Sequence, residues 1–123
     1  MPRILVIDDE VAVRKVIVRM LTSAGHEVTA APDGAAGLRL WREAGADLVL
    51  TDLHMPEMNG LEVIRALRAA EPTLPVVAMS GTGAAREDLT QAVQQLGSVG
   101  ILGKPFSWDE LIGVIAAALR PVA

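Results

Sequence analysis

The chain contains no cysteine, which excludes a disulfide frame and any thiolate metal site. It also lacks a basic excess: eleven Lys and Arg stand against fifteen Asp and Glu, a net charge of −4. That balance argues against direct binding to nucleic acid or to an anionic membrane, both of which favour a basic face. No apolar run approaches the ~20 residues needed to span a bilayer. The longest late run, Leu111 to Leu119, falls well short, and the first, Ile4 to Ile7, ends in Asp8-Asp9-Glu10, which does not suit a signal peptide. A cytoplasmic protein is expected. The two histidines, His26 and His54, share no helical face, so nothing suggests zinc. Lysine is scarce as well: Lys15 and Lys104 are the only two among the eleven basic residues, which makes Lys104 stand out.

What is present is a folding sequence, 51% hydrophobic and 21% charged, and its 123 residues read as one domain over 1–123 with no repeat or linker. Short aliphatic runs alternate with amphipathic stretches. Arg3 to Ile7 is a strand that runs into Asp8 and Asp9. The next stretch repeats Val13, Val16, Ile17, Met20 and Leu21 at helical spacing, with Arg14, Lys15 and Arg19 on the other face and Gly25 as a stop. Glu27 to Ala31 is a weaker strand near an edge. Pro32-Asp33-Gly34 turns into a helix through about Ala44, with Leu38 and Trp41 inward and Leu40 off that face.

Leu48-Val49-Leu50-Thr51-Asp52 follows, an apolar run too short for a helix and uniform enough for a strand buried on both faces. A third helix carries Val63, Ile64 and Leu67 and ends before Pro72. Val76 to Met79 is another buried strand, stopping at Ser80. Ser80-Gly81-Thr82-Gly83 connects to a helix over roughly 84–96 with Leu89, Val93 and Leu96 inward, ended by Gly97. Val99 to Gly103 is a short edge strand that delivers Lys104-Pro105. Ser107 and Glu110 form a capping box, with Phe106 and Leu111 as its hydrophobic staple. The final helix places Trp108, Leu111, Ile112, Ile115, Ala116 and Leu119 on one stripe.

Five strands alternating with five helices predict a doubly wound α/β domain with a flavodoxin-like parallel sheet in the order 2-1-3-4-5. In that order the strands ending in Asp8-Asp9 and in Asp52 are neighbours about 4.8 Å apart. Ser80 flanks Asp52 on the other side and Lys104 lies one strand further out. Each residue alone has a plain explanation: Asp8 or Asp9 as a helix cap, Ser80 as a turn residue, Lys104 as a solvated charge. Four such coincidences at strand C-termini on one side of a sheet favour a joint site. Three neighbouring carboxylates call for a cation. An all-oxygen set with few protein ligands suits Mg²⁺. Carboxylate, cation, lysine and hydroxyl together suit phosphoryl transfer to the carboxylate.

With Ile-Asp-Asp-Glu at residues 7–10, Thr-Asp-Leu-His-Met-Pro at 51–56, Met-Asn-Gly at 58–60, Met-Ser-Gly at 79–81 and Lys-Pro-Phe at 104–106, the chain resembles the receiver domain of bacterial two-component response regulators, typified by the single-domain chemotaxis regulator. The resemblance covers essentially the whole chain. It implies that Asp52 is the phosphoacceptor, and that Asp9, Asp52 and the backbone carbonyl of His54 hold Mg²⁺, with Asp8 reaching it through water. It further implies that Ser80 and Lys104 bind phosphoryl oxygens and that the Lys104-Pro105 peptide is cis. The phosphodonor would be a histidine kinase or a histidine phosphotransfer protein. The response would be a change of partner, which includes a homodimer formed on phosphorylation. Such a chain is not a conventional enzyme, although it catalyses its own phosphorylation and slow dephosphorylation.

Three positions depart from the family's pattern. His54 stands two residues after the phosphoacceptor, where the side chain influences the lifetime of the phosphoryl group; the simpler reading is that only its carbonyl matters. Thr82, two after Ser80, offers no acid or amide to orient water. Ile101 stands three before the lysine, where an aromatic is usual, and is expected to serve as packing while Ser80-Gly81-Thr82-Gly83 carries the signal. Beside the switch stand a relay that passes phosphate onward, a Mg²⁺-dependent aspartyl-phosphate phosphatase, and a receiver that binds partners unphosphorylated. His54 occupies the place where a phosphatase of the haloacid-dehalogenase type needs a second acid. The intact Asp8, Asp9, Asp52, Ser80 and Lys104 argue against the unphosphorylated binder.

Overall fold

The computed structural model describes residues 2–81, 91–96 and 99–120. Strands β1 (Arg3–Ile7), β2 (Glu27–Ala31), β3 (Leu48–Asp52), β4 (Val76–Ser80) and β5 (Val99–Gly103) form one parallel sheet in the order β2-β1-β3-β4-β5, as expected. Helices α1 (Val11–Ser23), α2 (Gly34–Ala44) and α3 (Gly60–Ala70) and a C-terminal helix (Trp108–Leu119) connect and cover it, and residues 91–94 are also helical. Leu89, Thr82, Gly83 and Gly97, which the sequence reading assigned to the fourth helix and its flanks, lie outside the described residues. Among the described residues no helix is long and apolar enough to cross a membrane.

Two apolar layers follow from strand alternation. Leu5, Ile7, Val49, Val76 and Ala78 face one side, where Leu38 of α2 and Val63, Ile64 and Leu67 of α3 cover them. Ile4, Val6, Leu48, Leu50, Val77 and Met79 face the other, against Ile17 and Leu21 of α1 and Leu111 and Ile115 of the C-terminal helix. Every residue of β3 and β4 is buried, while both edge strands, β2 and β5, are partly open. At ~1.5–3 kcal/mol for each fully buried aliphatic side chain, these layers dominate the stability.

Local chemistry sets the helix starts. Asp33 accepts the Ala36 N–H at 2.8 Å, and Asn59 with Glu62 and Ser107 with Glu110 form reciprocal capping boxes. The box at Ser107 was expected, whereas that at Asn59 was not.

Several side chains sit differently from their expected places. Val16 is 54% exposed, because the inward stripe of α1 centres on Ile17 and Leu21 and a neighbouring position is rotated by ~100°. Arg14, expected on the outer face, is partly buried and turned back toward β1. Trp108 is 43% exposed and Ala116 also faces out; Val114 and Ala118 pack inward in their stead. Leu40 is half-buried and packs with Trp41, lining a narrow cleft beside Leu5 and Thr29. Val93 is buried as expected, but Leu96 lies in a turn and is 37% exposed.

Candidate functional site

Sheet register assembles the site. Ile7 pairs with Thr51, so Asp8 and Asp52, the residues that follow, leave the sheet side by side. Asp52 is itself paired with Met79, which puts Ser80 one step beyond it, and Ser80 pairs with Gly103, which precedes Lys104. The Lys104 N–H bonds the Ser80 carbonyl at 2.7 Å, and the Lys104-Pro105 peptide is cis. From that anchor the lysine side chain reaches back across the sheet: its Nζ lies 3.1 Å from Asp52 Oδ2, 3.1 Å from Asp8 Oδ2 and 3.9 Å from Glu10 Oε1.

The carboxylates are held by main-chain donors as well. Asp52 Oδ1 accepts the His54 N–H at 3.2 Å, and Asp8 Oδ1 accepts the Glu10 N–H at 2.9 Å. Asp8 and Asp52 are both buried. Burial pushes the Asp52 carboxyl above the ordinary aspartate range and Asp8 adds to the rise; Lys104 and the His54 N–H offset only part of it. Burial alone would lower Lys104, yet Asp52 and Asp8 outweigh it and leave the ammonium above its usual value. The lysine therefore stays charged.

Behind Asp52, α3 begins at closest approach. A Cβ on Gly60 would strike the Asp52 carbonyl oxygen and come within 2.7 Å of Leu53 Cα, so only glycine fits there. The Gly60 N–H bonds the Leu53 carbonyl at 3.0 Å, tying the helix start to the strand end. Ser80 is buried, with its Oγ 3.2 Å from the Gly81 carbonyl.

The donor set fits a hard divalent cation. One carboxylate oxygen from each of Asp8, Glu10 and Asp52 lies within 4.8 Å of the others. Asp9 stands outside that group, but its Oδ1 is buried and meets no hydrogen-bond donor among the described residues. Several acidic oxygens around one ammonium leave negative charge for a cation to neutralise. Asp8, Asp52 and Lys104 are thus brought together, with Ser80 at the end of the neighbouring strand and the His54 N–H on Asp52; Asp9, expected as the third acid of the cluster, stands outside it, and Glu10 takes that place. Two neighbours were missed. Glu10 is the third acid of the Asp-Asp-Glu run, which was signal enough to include it. Arg14, whose Nη1 donates to the Asp8 carbonyl at 2.7 Å, has no signal in helical periodicity.

Known proteins are similar to this chain in sequence and in fold. The family model for the response regulator receiver domain matches residues 4–116. The response regulator MprA of Mycobacterium sp. (strain KMS) is 38% identical over 120 residues, covering 96% of this chain and 50% of that protein. The DNA-binding transcriptional regulator NtrC of Rhizobium meliloti is 40% identical over 119 residues, covering 94% of this chain and 24% of its own. The chain thus spans about half the length, or less, of the curated relatives it matches. Among solved structures, a response regulator receiver domain protein from Clostridium thermocellum superposes with a TM-score of 0.90 at 30% identity, covering 97% of this chain and 94% of that one. The chemotaxis protein CheY4 of Vibrio cholerae does so at 0.87 and 30%, covering 97% and 99%. The chain belongs to the response regulator receiver domain family, the phosphorylation-controlled switches of two-component signalling.

Proposed function

We propose that Asp52 is the phosphoacceptor and that a histidine kinase, or a histidine phosphotransfer protein, is the donor. A carboxylate oxygen of Asp52 bonds to phosphorus as the donor's N–P bond breaks, and the imidazole leaves with the electron pair and takes up a proton. The observation that carries this reading is the buried Asp52 carboxylate with Lys104 Nζ at 3.1 Å and the Asp8 carboxylate on the same ammonium. Asp9, Asp52 and the His54 carbonyl would hold Mg²⁺, with Asp8 reaching it through water, and Glu10 lies close enough to Asp8 and Asp52 to join them. When bound, the cation neutralises the phosphoryl oxygens. Lys104 offers a retained positive charge to the transferred group, and Ser80 a hydroxyl, 3.2 Å from the Gly81 carbonyl in this structure, that would turn to donate to it.

We place the donor's docking surface on the groove beside the site. An apolar groove of about 630 Å³ runs between α1 and the segment after β5, lined by Val13, Val16, Ile17, Met20, Pro105 and Phe106, and it ends at Glu10 and Lys104. A donor domain seated there holds its phosphohistidine beside Asp52. The net charge of −4 disfavours direct binding to nucleic acid, so the DNA-directed output that the name of the NtrC relative indicates for that protein is not assigned to this domain. A cytoplasmic location belongs to the same reading, since the kinase draws its phosphoryl group from ATP. The output is a changed partner, with a phosphorylation-dependent homodimer among the forms it takes. Autodephosphorylation, with water as acceptor, resets the switch.

Incubation with acetyl phosphate and Mg²⁺ tests the assignment. One phosphoryl group should appear in the intact mass, and neither Asp52→Asn nor the parent chain in EDTA should gain it. Undiminished labelling of Asp52→Asn would place the acceptor elsewhere. Transfer of label from the modified chain to a histidine phosphotransfer domain would distinguish a relay from a terminal switch.

A further inference from the structure

The turn between β1 and α1 carries three acids in succession, Asp8, Asp9 and Glu10, and main-chain bonds alone do not account for its shape. The Asp8 N–H bonds the Ala31 carbonyl at 3.2 Å, and the Glu10 N–H bonds Asp8 Oδ1 at 2.9 Å. The third restraint comes from Arg14, whose Nη1 donates to the Asp8 carbonyl at 2.7 Å from the second turn of α1. Glu10, at the helix N-cap, makes no side-chain capping bond, and the first turn of α1 contains no acid. The guanidinium is therefore the side chain that closes this end of the helix against the acidic turn.

The Asp8 carbonyl and the Asp9 N–H belong to one rigid peptide plane. Holding the carbonyl sets both flanking residues at once. On one side it restrains the backbone from which the Asp8 carboxylate reaches Lys104 and the Glu10 N–H; on the other it restrains where Asp9 begins, and Asp9 Oδ1 is the buried oxygen that meets no donor among the described residues. Without this bond the plane loses its side-chain restraint, and the placement of Asp8 and Asp9 beside each other rests on the Glu10 N–H and Lys104 bonds to Asp8 alone. The full positive charge of Arg14 also offsets repulsion among three neighbouring acids.

We propose that Arg14 is a positioning residue for the cation site: it touches neither the cation nor the phosphoryl group, and acts by orienting Asp8 and Asp9 through the Asp8 carbonyl. The inference rests on the metal-dependent reading of Asp52 given above. Residues that orient metal ligands from behind typically contribute about 10–100-fold to metal affinity.

Calorimetric titration of the folded chain with Mg²⁺ reads this directly. Arg14→Ala should bind Mg²⁺ about tenfold more weakly than the parent. Arg14→Lys, which keeps a charge and a donor, should recover most of the loss. Labelling of Arg14→Ala by acetyl phosphate should be slow at limiting Mg²⁺ and return to the parent rate at saturating Mg²⁺, because Asp52 is untouched. A purely structural arginine would lower the melting temperature in EDTA and leave the Mg²⁺ affinity of the folded chain unchanged; that result overturns the inference. An Arg14→Lys variant as weak as Arg14→Ala overturns it too, since the loss would then follow guanidinium packing and not the bond. If the parent chain itself binds no Mg²⁺, the metal-dependent reading of the site fails and this inference with it.

Discussion

Lys104 Nζ and Asp52 Oδ2 lie 3.1 Å apart although β4 stands between the strands that carry them, and the same ammonium is 3.1 Å from Asp8 Oδ2. One lysine thus serves two buried carboxylates, and each acid depends on it while no other cation is bound. Its side chain keeps 18% exposure, so solvent moderates the interaction without removing it.

Lys104→Ala leaves Asp8 and Asp52 buried without their shared cation. We expect a loss of about 1–3 kcal/mol in urea unfolding in EDTA, less than for a fully buried pair because Lys104 is partly solvated. Mg²⁺ should restore much of it, and more than it adds to the parent chain. The variant should still label slowly with acetyl phosphate but lose most of the phosphorylation-dependent gain in partner binding or self-association. Normal labelling and a normal response would reduce Lys104 to a structural charge.

The Asp52 carboxyl titrates above its usual range because it is buried, so the metal-free fold holds a proton there more readily than the unfolded chain does. The contribution of this group to stability is fully present below the ordinary aspartate pKa and is lost as pH rises through the raised one. Mg²⁺ needs the ionised form. The rise in melting temperature on adding Mg²⁺ should therefore shrink as pH falls through the raised Asp52 value, and Asp52→Asn should lose that part of the dependence. A Mg²⁺ effect that stays constant from neutral to mildly acid pH contradicts the assignment.

Gly60→Ala pushes a methyl group into the Asp52 carbonyl and Leu53 Cα, main-chain atoms that cannot step aside. Overpacking of this kind costs about 1–3 kcal/mol. Because the displaced atoms belong to Asp52 and its successor, labelling should slow as well. Gly113→Ala is the control: a Cβ there meets nothing within 4 Å, and the helical position should gain up to ~1 kcal/mol. Equal behaviour of the two variants in thermal melts would remove Gly60 from the site's support.

Ile101 is half-buried and packs against the layer that contains Ala78 and Val93. Its β-branch restricts χ1, so exchange between an outward and a deep inward position is not open to it as it is to an aromatic ring. Ile101→Ala should cost ~1–2 kcal/mol, at or below the low end for aliphatic truncation because the site is half open. It should keep its response to beryllofluoride. Gly81→Ala, next to the Ser80 hydroxyl, should lose much of that response while remaining folded. The reverse pattern, measured as partner affinity or self-association with and without beryllofluoride, would make Ile101 the switch.

The sequence by itself determined the alternation of strands and helices, the central place of Leu48–Asp52, the edge character of β2 and β5, and the delivery of Asp8, Asp52, Ser80 and Lys104 to one end of the sheet. These are legible because period-two and helical patterns, the capping box at Ser107 and polar residues ending apolar runs are local, and right-handed crossovers leave few strand orders. Tertiary structure decided the rest. Whether Val16 and Trp108 face the core depends on how each helix is rotated about its axis against the sheet, and apolar spacing leaves neighbouring positions nearly equivalent. Asn59 was read as loop because its cap depends on where α3 begins, and that start is set by the contact of Gly60 with the end of β3. The ammonium that bridges Asp8 and Asp52 comes from the end of β5, two strands from β3 and three from β1, and the guanidinium behind Asp8 turns back from a helix face that periodicity assigns to solvent. Long flexible side chains choose among partners only once the surrounding strands and helices are in place, so their contacts are a property of the assembled fold.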